Sequence, residues 1–336
     1  MRRYGSTTVY RVRSRRALLV AALASAAAYA VFGAAGHLLD GGAQTFNGQH
    51  RASLSAIHEA GRSSVTWPRQ GQAALVLGNE RGAASPHERP VAIASLAKVM
   101  TAYLTLERYP LSGAQDGFTI TVSAAQAYAV GQDRAEGQSV VAVAAGERLT
   151  ERQLLEALLI ASGNNIAEML APRVAGSETR FLAEMNGEAR ALGMSHTTYT
   201  DPGGFARSTV STAADQLRAF RAALRFSVFR QIVSMSEVTL PVAGTLTNFN
   251  PLIAEGYAGK TGSDSAAGGC LAFFTPVTAG GGRTTALGVV LGQGEGSDTS
   301  ALLAAAGEAA EQLVDSVAVR PRAVVNPITT RGRHHE

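Results

Sequence analysis

Apolar and polar positions change period several times along this chain, and each change marks an element. Residues 72–77 form a short apolar run between Gly71 and Gly78, the pattern of a buried strand. After the turn-rich stretch 82–90, Leu96, Val99, Met100 and Tyr103 recur at helical spacing, which predicts a helix over 96–106 with Ser95 at its start. Residues 110–117 read as loop, and the alternation through 118–122 predicts a short strand. From there to Thr150 no period dominates. Thr150 followed by Gln153 is a capping-box pattern, with Leu154, Leu155, Leu158, Leu159 and Ile160 as a buried stripe behind it. Gly163 interrupts that stripe. A second helix is expected to restart over 165–170, which places Ser162 and Asn164 on a short inter-helix loop. Helices also suit 178–192 and 213–224, on either side of the loop Thr200-Asp201-Pro202-Gly203-Gly204.

Towards the C-terminus the pattern changes character. Lys260 stands at one end of a turn-rich strand, and 269–274 and 284–291 read as adjacent antiparallel strands joined by a glycine turn. Gly292, Gly294 and Gly296 fall in a strand-to-helix turn, and 300–314 returns to helical spacing. A strand, then helices, then strands and a last helix imply an α+β fold. It consists of an antiparallel sheet flanked by helices, with an inserted helical subdomain and a cleft between the two.

The 336 residues suffice for one large or two modest domains. Much of the net charge of +4 is terminal, because six arginines from Arg2 to Arg16 precede the first acidic residue. Residues 17–36 carry no charge, so 1–36 is expected to be an arginine-rich start followed by a signal peptide or a membrane anchor. Either puts the remainder outside the cytoplasmic membrane, secreted or membrane-anchored. Residues 37–70 read as a linker, 71–315 as the catalytic domain and 316–336 as a polar tail. No later interleaving of basic and aromatic residues suggests a nucleic-acid face. Cys270 is the single cysteine, which excludes an intramolecular disulfide and a cysteine metal cluster; it reads as a packed small hydrophobe. The histidines are scattered without a metal-ligand spacing, and 292–296 lacks the context of a phosphate loop, so neither metal nor cofactor is expected.

Candidate chemistry gathers in three ordered motifs: Ser95-Leu96-Ala97-Lys98, Ser162-Gly163-Asn164 and Lys260-Thr261-Gly262. Residues three apart on a helix share a face, so Ser95 and Lys98 can meet. A lysine at its ordinary pKa is no base, but Lys98 in a dry cleft beside a second cation, Lys260, could accept the Ser95 proton. Taken singly, Ser95 could be a helix cap, Ser162-Gly163-Asn164 a helix stop and Lys260-Thr261-Gly262 a plain turn. Together they resemble the SxxK, SxN and KTG set of penicillin-binding proteins and serine beta-lactamases.

Further stretches narrow the resemblance. Ala191-Leu192-Gly193-Met194 before the Asp201-Pro202-Gly203-Gly204 loop, and Thr247-Asn248-Phe249-Asn250-Pro251-Leu252 before the third motif, look like the low-molecular-mass D-alanyl-D-alanine carboxypeptidase family. The resemblance covers about 70–314. It implies a beta-lactamase/penicillin-binding transpeptidase-like fold and a serine-type D-Ala-D-Ala carboxypeptidase. The substrate would be a peptidoglycan stem pentapeptide, with beta-lactams as covalent inhibitors. Carried onto this chain, Ser95 is the nucleophile, Lys98 its base, and Ser162 a proton relay between Lys98, Lys260 and the leaving amine. Asn164 bonds Lys98 or the substrate amide, and Lys260 supplies positive potential. Thr261, Gly262 and Ser263 bind substrate, and the backbone N–H groups of Ser95 and Ser263 form the oxyanion hole. The chain departs from the family at Asn165, usually aspartate, at Gly259, usually bulky and apolar, and at Ser263, usually histidine. It also lacks an arginine in 292–309, where the family often holds the substrate carboxylate; Arg283 lies at the other end of that strand. A class A beta-lactamase would need a further glutamate roughly 35 residues beyond the second motif. Residues 196–205 offer only Asp201, which is expected to cap its own turn. A catalytically weak peptidoglycan or wall-assembly binding module, and a related D,D-endopeptidase or amidase, are the alternative functions.

Overall fold

The computed structural model describes residues 65–318. The expected signal or anchor segment, most of the linker and most of the polar tail lie outside the described residues. Among those described, no helix is long and apolar enough to cross a membrane.

β1 (Gln72–Leu77) pairs with β2 (Ala83–Ala84), and β3 (Val91–Ala92) leads through a single 3-10 turn, Ala94–Leu96, into α1 (Ala97–Arg108). Leu96, Val99, Met100, Tyr103 and Leu106 are all buried, as their helical spacing requires. The stretch with no clear period contains β4 (Thr119–Thr121), α2 (Ala124–Ala135) and β5 (Arg148–Thr150). Ser123 and Gln126 form a reciprocal capping box on α2, yet Val130 is the buried residue of that helix, so no apolar stripe announces it. Thr150 and Gln153 close the expected box on α3 (Glu151–Leu159).

α4 (Asn164–Ala175) begins earlier than its sequence suggests: Gly163 is the N-cap and Asn164 the first helical residue. Asn164 is therefore on a helix, not on an inter-helix loop. Ser162 makes this possible by taking a left-handed backbone, φ 59°, which turns the chain within one residue. α5 (Glu178–Ala191), β6 (Val210–Ser211), α6 (Ala213–Ala223) and α7 (Ser227–Val233) follow, with β6 pairing β3. A hairpin, β7 (Glu237–Leu240) and β8 (Gly244–Thr247), precedes β9 (Ala258–Asp264), β10 (Gly268–Ala279), β11 (Gly282–Gln293) and α8 (Thr299–Asp315). Lys260 thus lies inside a strand rather than at its end.

The main sheet is antiparallel with strand order β2-β1-β11-β10-β9, which leaves β9 as an edge. Side chains alternate between its faces. Ala74, Val76, Ala258, Ala272, Val289 and Leu291 join the core shared with α1 and the other inserted helices. Ala73, Leu75, Leu271, Phe273 and Val290 face α8 in a second core, against which Val65 and Trp67 also pack. The buried Cys270 belongs to the first core, with its thiol pushed up to about 12 by burial. Phe273 stands opposite Gly259 on one neighbour and Gly288 on the other. A Cβ on Gly288 would lie 2.3 Å from the Phe273 ring, and one on Gly259 would lie 2.0 Å from the Ala272 carbonyl oxygen. No side chain fits ahead of Lys260, which is the physical reason for glycine there.

Candidate active site

Ser95 sits in the 3-10 turn and Lys98 in the first turn of α1, so their spacing brings Lys98 Nζ to 2.8 Å from Ser95 Oγ. Ser95 is not a helix cap: no side-chain cap bond forms at this helix start. Lys98 is fully buried, and its Nζ also reaches Asn164 Oδ1 at 2.5 Å and the Gly203 carbonyl oxygen at 2.7 Å. Asn164 Nδ2 donates to Gln138 Oε1 at 2.8 Å. Lys260, equally buried, donates to Ser162 Oγ at 3.1 Å and to the Thr261 carbonyl at 2.8 Å. The two lysines thus head two linked groups, Ser95 and Asn164 around Lys98, Ser162 and Thr261 around Lys260.

Burial is the main force on both amines. It holds Lys98 well below the ordinary lysine range, with repulsion from Lys260 second, and it brings Lys260 down to about 7. Neither lysine has a carboxylate in contact. Asp201, the acidic residue of the Asp201-Pro202-Gly203-Gly204 loop, spends its carboxylate on the Phe205 N–H at 2.7 Å and the Thr209 hydroxyl at 2.5 Å, capping its own turn.

Close backbone approach assembles the pieces. A Cβ on Gly262 would lie 3.0 Å from the Ser95 nitrogen, and one on Gly204 would lie 1.8 Å from the Ala94 carbonyl oxygen. Strand β9 and the Asp201-Pro202-Gly203-Gly204 loop therefore press on the turn that carries Ser95 from two sides. Thr101 fixes the loop to α1 by donating to the Pro202 carbonyl at 2.7 Å. Among the described residues the non-glycine positions with positive φ are His87, Ala94 and Ser162, and two of these flank the site. A cavity of about 110 Å³ is lined by Gln138, Asn164, Glu168, Asp201, Gly203 and Phe205, of which Asn164 and Gly203 also hold Lys98 Nζ.

The profile of the D-alanyl-D-alanine carboxypeptidase family, peptidase S11, matches residues 81–294. The chain belongs to this family. It is 30% identical over 198 residues to a D-alanyl-D-alanine endopeptidase of Pseudomonas aeruginosa, covering 56% of this chain and 60% of that protein. It is 34% identical over 161 residues to the D-alanyl-D-alanine carboxypeptidase DacB2 of Mycobacterium tuberculosis, covering 45% of this chain and 54% of that one. The chain thus spans under two thirds of the length of either relative. The crystal structure of the Streptomyces K15 DD-transpeptidase shares its fold, with a TM-score of 0.62 at 25% identity over 75% of this chain and 98% of that one.

Against the family pattern, Asn165 accepts from the Val141 N–H at 3.0 Å and donates to the Val141 carbonyl at 2.9 Å, a pairing that an aspartate could only half make. Arg283 lies opposite Thr278 near the hairpin end of β11. Arg207, from the loop after Gly204, instead reaches Ser265 Oγ at 3.4 Å beside the end of β9. Gly203 lies in a stretch that resembles the family but contributes only a carbonyl, which no side-chain pattern reveals, and Gln138 and Arg207 lie in stretches without periodicity. The Pro-Gly-Gly composition and the family resemblance are the signals that a special loop stands there. Among the described residues, no group of three or more His, Cys, Asp or Glu is placed to hold a metal ion.

Proposed function

We propose that the domain over 71–315 is an extracytoplasmic serine-type D-Ala-D-Ala carboxypeptidase that removes the terminal D-alanine from peptidoglycan stem pentapeptides. The observation that carries this reading is the buried Lys98 amine, 2.8 Å from Ser95 Oγ and saturated on its other sides by two carbonyl oxygens. A neutral amine has two N–H bonds and one lone pair. Asn164 Oδ1 and Gly203 O take the two N–H groups, and the lone pair faces the Ser95 hydroxyl.

Ser95 Oγ then attacks the carbonyl of the penultimate D-alanine as its proton passes to Lys98. The developing oxyanion meets the backbone N–H groups of Ser95 and Ser263, each worth on the order of 3 kcal/mol when well placed. Collapse breaks the C–N bond as the proton that Lys98 took from Ser95 reaches the leaving amine through the Ser162 hydroxyl, which gives one proton as it takes up another and is held by Lys260, so that Lys98 is neutral again. D-alanine departs, and water hydrolyses the acyl-Ser95 ester to release the shortened peptide. Lys260 and the Thr261 hydroxyl hold the substrate carboxylate, while the open edge of β9 accepts the extended peptide as an added strand. Beta-lactams would acylate Ser95 by the same step.

A second reading, D,D-endopeptidase, is favoured by one observation: the Pseudomonas aeruginosa relative with that name aligns over more of this chain than DacB2 does. Mass-resolved incubation with stem pentapeptide and with a cross-linked stem dimer separates them. Ser95-dependent loss of one D-alanine from the pentapeptide is the expected result, and cleavage of the dimer alone supports the endopeptidase. Tight binding with neither product nor a penicillin adduct would overturn both in favour of a binding module.

A further inference from the structure

We propose that Gln138 is a positioning residue that fixes which end of the Asn164 amide meets Lys98, and thereby reserves the Lys98 lone pair for Ser95. This deepens the acyl-transfer reading and rests on it. Lys98 Nζ has three neighbours within hydrogen-bond reach: Ser95 Oγ, Asn164 Oδ1 and Gly203 O. The Gly203 carbonyl can only accept. Asn164 presents an acceptor only while its oxygen, and not its NH2, points at the lysine. A carboxamide has nearly the same shape either way round. Rotated by half a turn, Asn164 would donate an N–H into the lone pair that Ser95 needs.

The far end of the amide prevents that rotation. Asn164 Nδ2 donates to Gln138 Oε1 at 2.8 Å, so a rotated Asn164 would set oxygen against oxygen. Gln138 is oriented in turn by its Nε2, which donates to Glu136 Oε2 at 3.4 Å. A carboxylate oxygen accepts that N–H, which favours the orientation of Gln138 that turns Oε1 toward Asn164. Every hydrogen in this series points outward, from Lys98 through Asn164 and Gln138 to Glu136. A surface carboxylate thereby sets the polarity of a contact at the buried base.

The segment carrying Gln138 is itself fastened to the start of α4. The Asn164 backbone N–H donates to the Ser139 carbonyl at 2.7 Å, and Asn165 pairs with both peptide groups of Val141. Gly163 lets the segment come close, because a Cβ there would lie 2.9 Å from Val141 Cγ2. Asn164 Nδ2 carries two hydrogens, and Gln138 takes only one. The other remains for the substrate amide.

The test is acylation of the whole protein by a labelled penicillin, followed against penicillin concentration and pH for wild type, Gln138→Leu and Gln138→Glu, with the melting temperature of each. Gln138→Leu should lower the limiting first-order acylation rate about tenfold or more while the apparent dissociation constant changes less than about threefold. Gln138→Glu keeps an acceptor for Asn164 and should recover most of that rate. Its added negative charge should move the acid limb of the pH profile upward, a shift that a packing role alone would not produce. A folded Gln138→Leu that acylates within about twofold of wild type, or a Gln138→Glu as slow as Gln138→Leu, overturns the proposal. Failure of the wild type to take any label would instead remove the acyl-transfer reading itself.

Discussion

In the proposed reaction Lys98 and Lys260 do opposite work with the same chemistry. Acylation needs Lys98 neutral, so the rate should rise with pH through its lowered pKa; it needs Lys260 charged, so the rate should fall as pH passes about 7. The second cause of the Lys98 depression is the charge on Lys260. Lys260→Ala should therefore slow acylation by roughly a hundredfold and also move the acid limb to higher pH, because the repulsion that kept Lys98 neutral is gone. A pH series of penicillin acylation rates checks both effects, and a loss below about twofold would reject the electrostatic role of Lys260. At this scale the motif spacing foretold the contact of Ser95 with Lys98, and the family resemblance those of Asn164 with Lys98 and Ser162 with Lys260. Neither could foretell Gly203, whose contribution is a backbone carbonyl, nor that Ser162 would contact Lys260 and not Lys98.

Strand β9 acts as an element through its glycines. Gly262 lies against the backbone of the turn that carries Ser95, and a methyl there sits at 3.0 Å from the Ser95 nitrogen, tight but within reach of a small shift. Gly262→Ala should leave the melting temperature within a few degrees and lower the acylation rate about tenfold or more, since a small displacement of the oxyanion donors costs much of their effect. Gly259→Ala should do the reverse. Its Cβ would fall 2.0 Å from the Ala272 carbonyl oxygen inside the sheet, so thermal denaturation should reveal a loss of about 1–3 kcal/mol, the usual cost of overpacking. The long elements α1, α3, β10 and β11 were legible because the helices repeat large apolar residues at helical spacing and the strands bury apolar runs. α2 was not, because it is mostly exposed, and the hairpin of β7 and β8 has only short, half-exposed strands. Asn164 was misplaced by sequence because a non-glycine left-handed residue, Ser162, does the turning that a loop was expected to do.

Across the whole molecule, stability and activity answer to different acids. Glu151, only 1% exposed, has an oxygen without a hydrogen-bond partner, and burial raises its pKa to about 7. An acid whose folded pKa is raised stabilises the fold below its unfolded value of 4.5, and that contribution is lost as pH climbs to about 7. Glu151→Gln imitates the protonated form and should melt higher than wild type at pH near 8 and alongside it near pH 5, read by calorimetry at both. Penicillin turnover tests another property of the assembled cleft. With Asp201 committed to its own turn, release of the acyl group should be slow, and rapid multiple-turnover hydrolysis in a colorimetric assay would speak for a beta-lactamase.

The packing of Val65 and Trp67 over the second core has a spectroscopic consequence. Trp67 is the only tryptophan in the chain, and Thr66 beside it is tied to the end of α8 by its N–H bond to Ser316 Oγ at 3.1 Å. The indole therefore samples the sheet face that α8 covers, whereas Ser95 and Lys98 belong with the helices of the opposite face. Its emission should redden when denaturant strips α8 from the sheet and stay unchanged when a penicillin occupies the cleft. Intrinsic fluorescence would then be a clean optical gauge of folding that is blind to ligand. A second emitter is needed to see the chemistry, and Phe205→Trp, at a cavity-lining position 48% exposed, is the substitution whose signal should follow acylation.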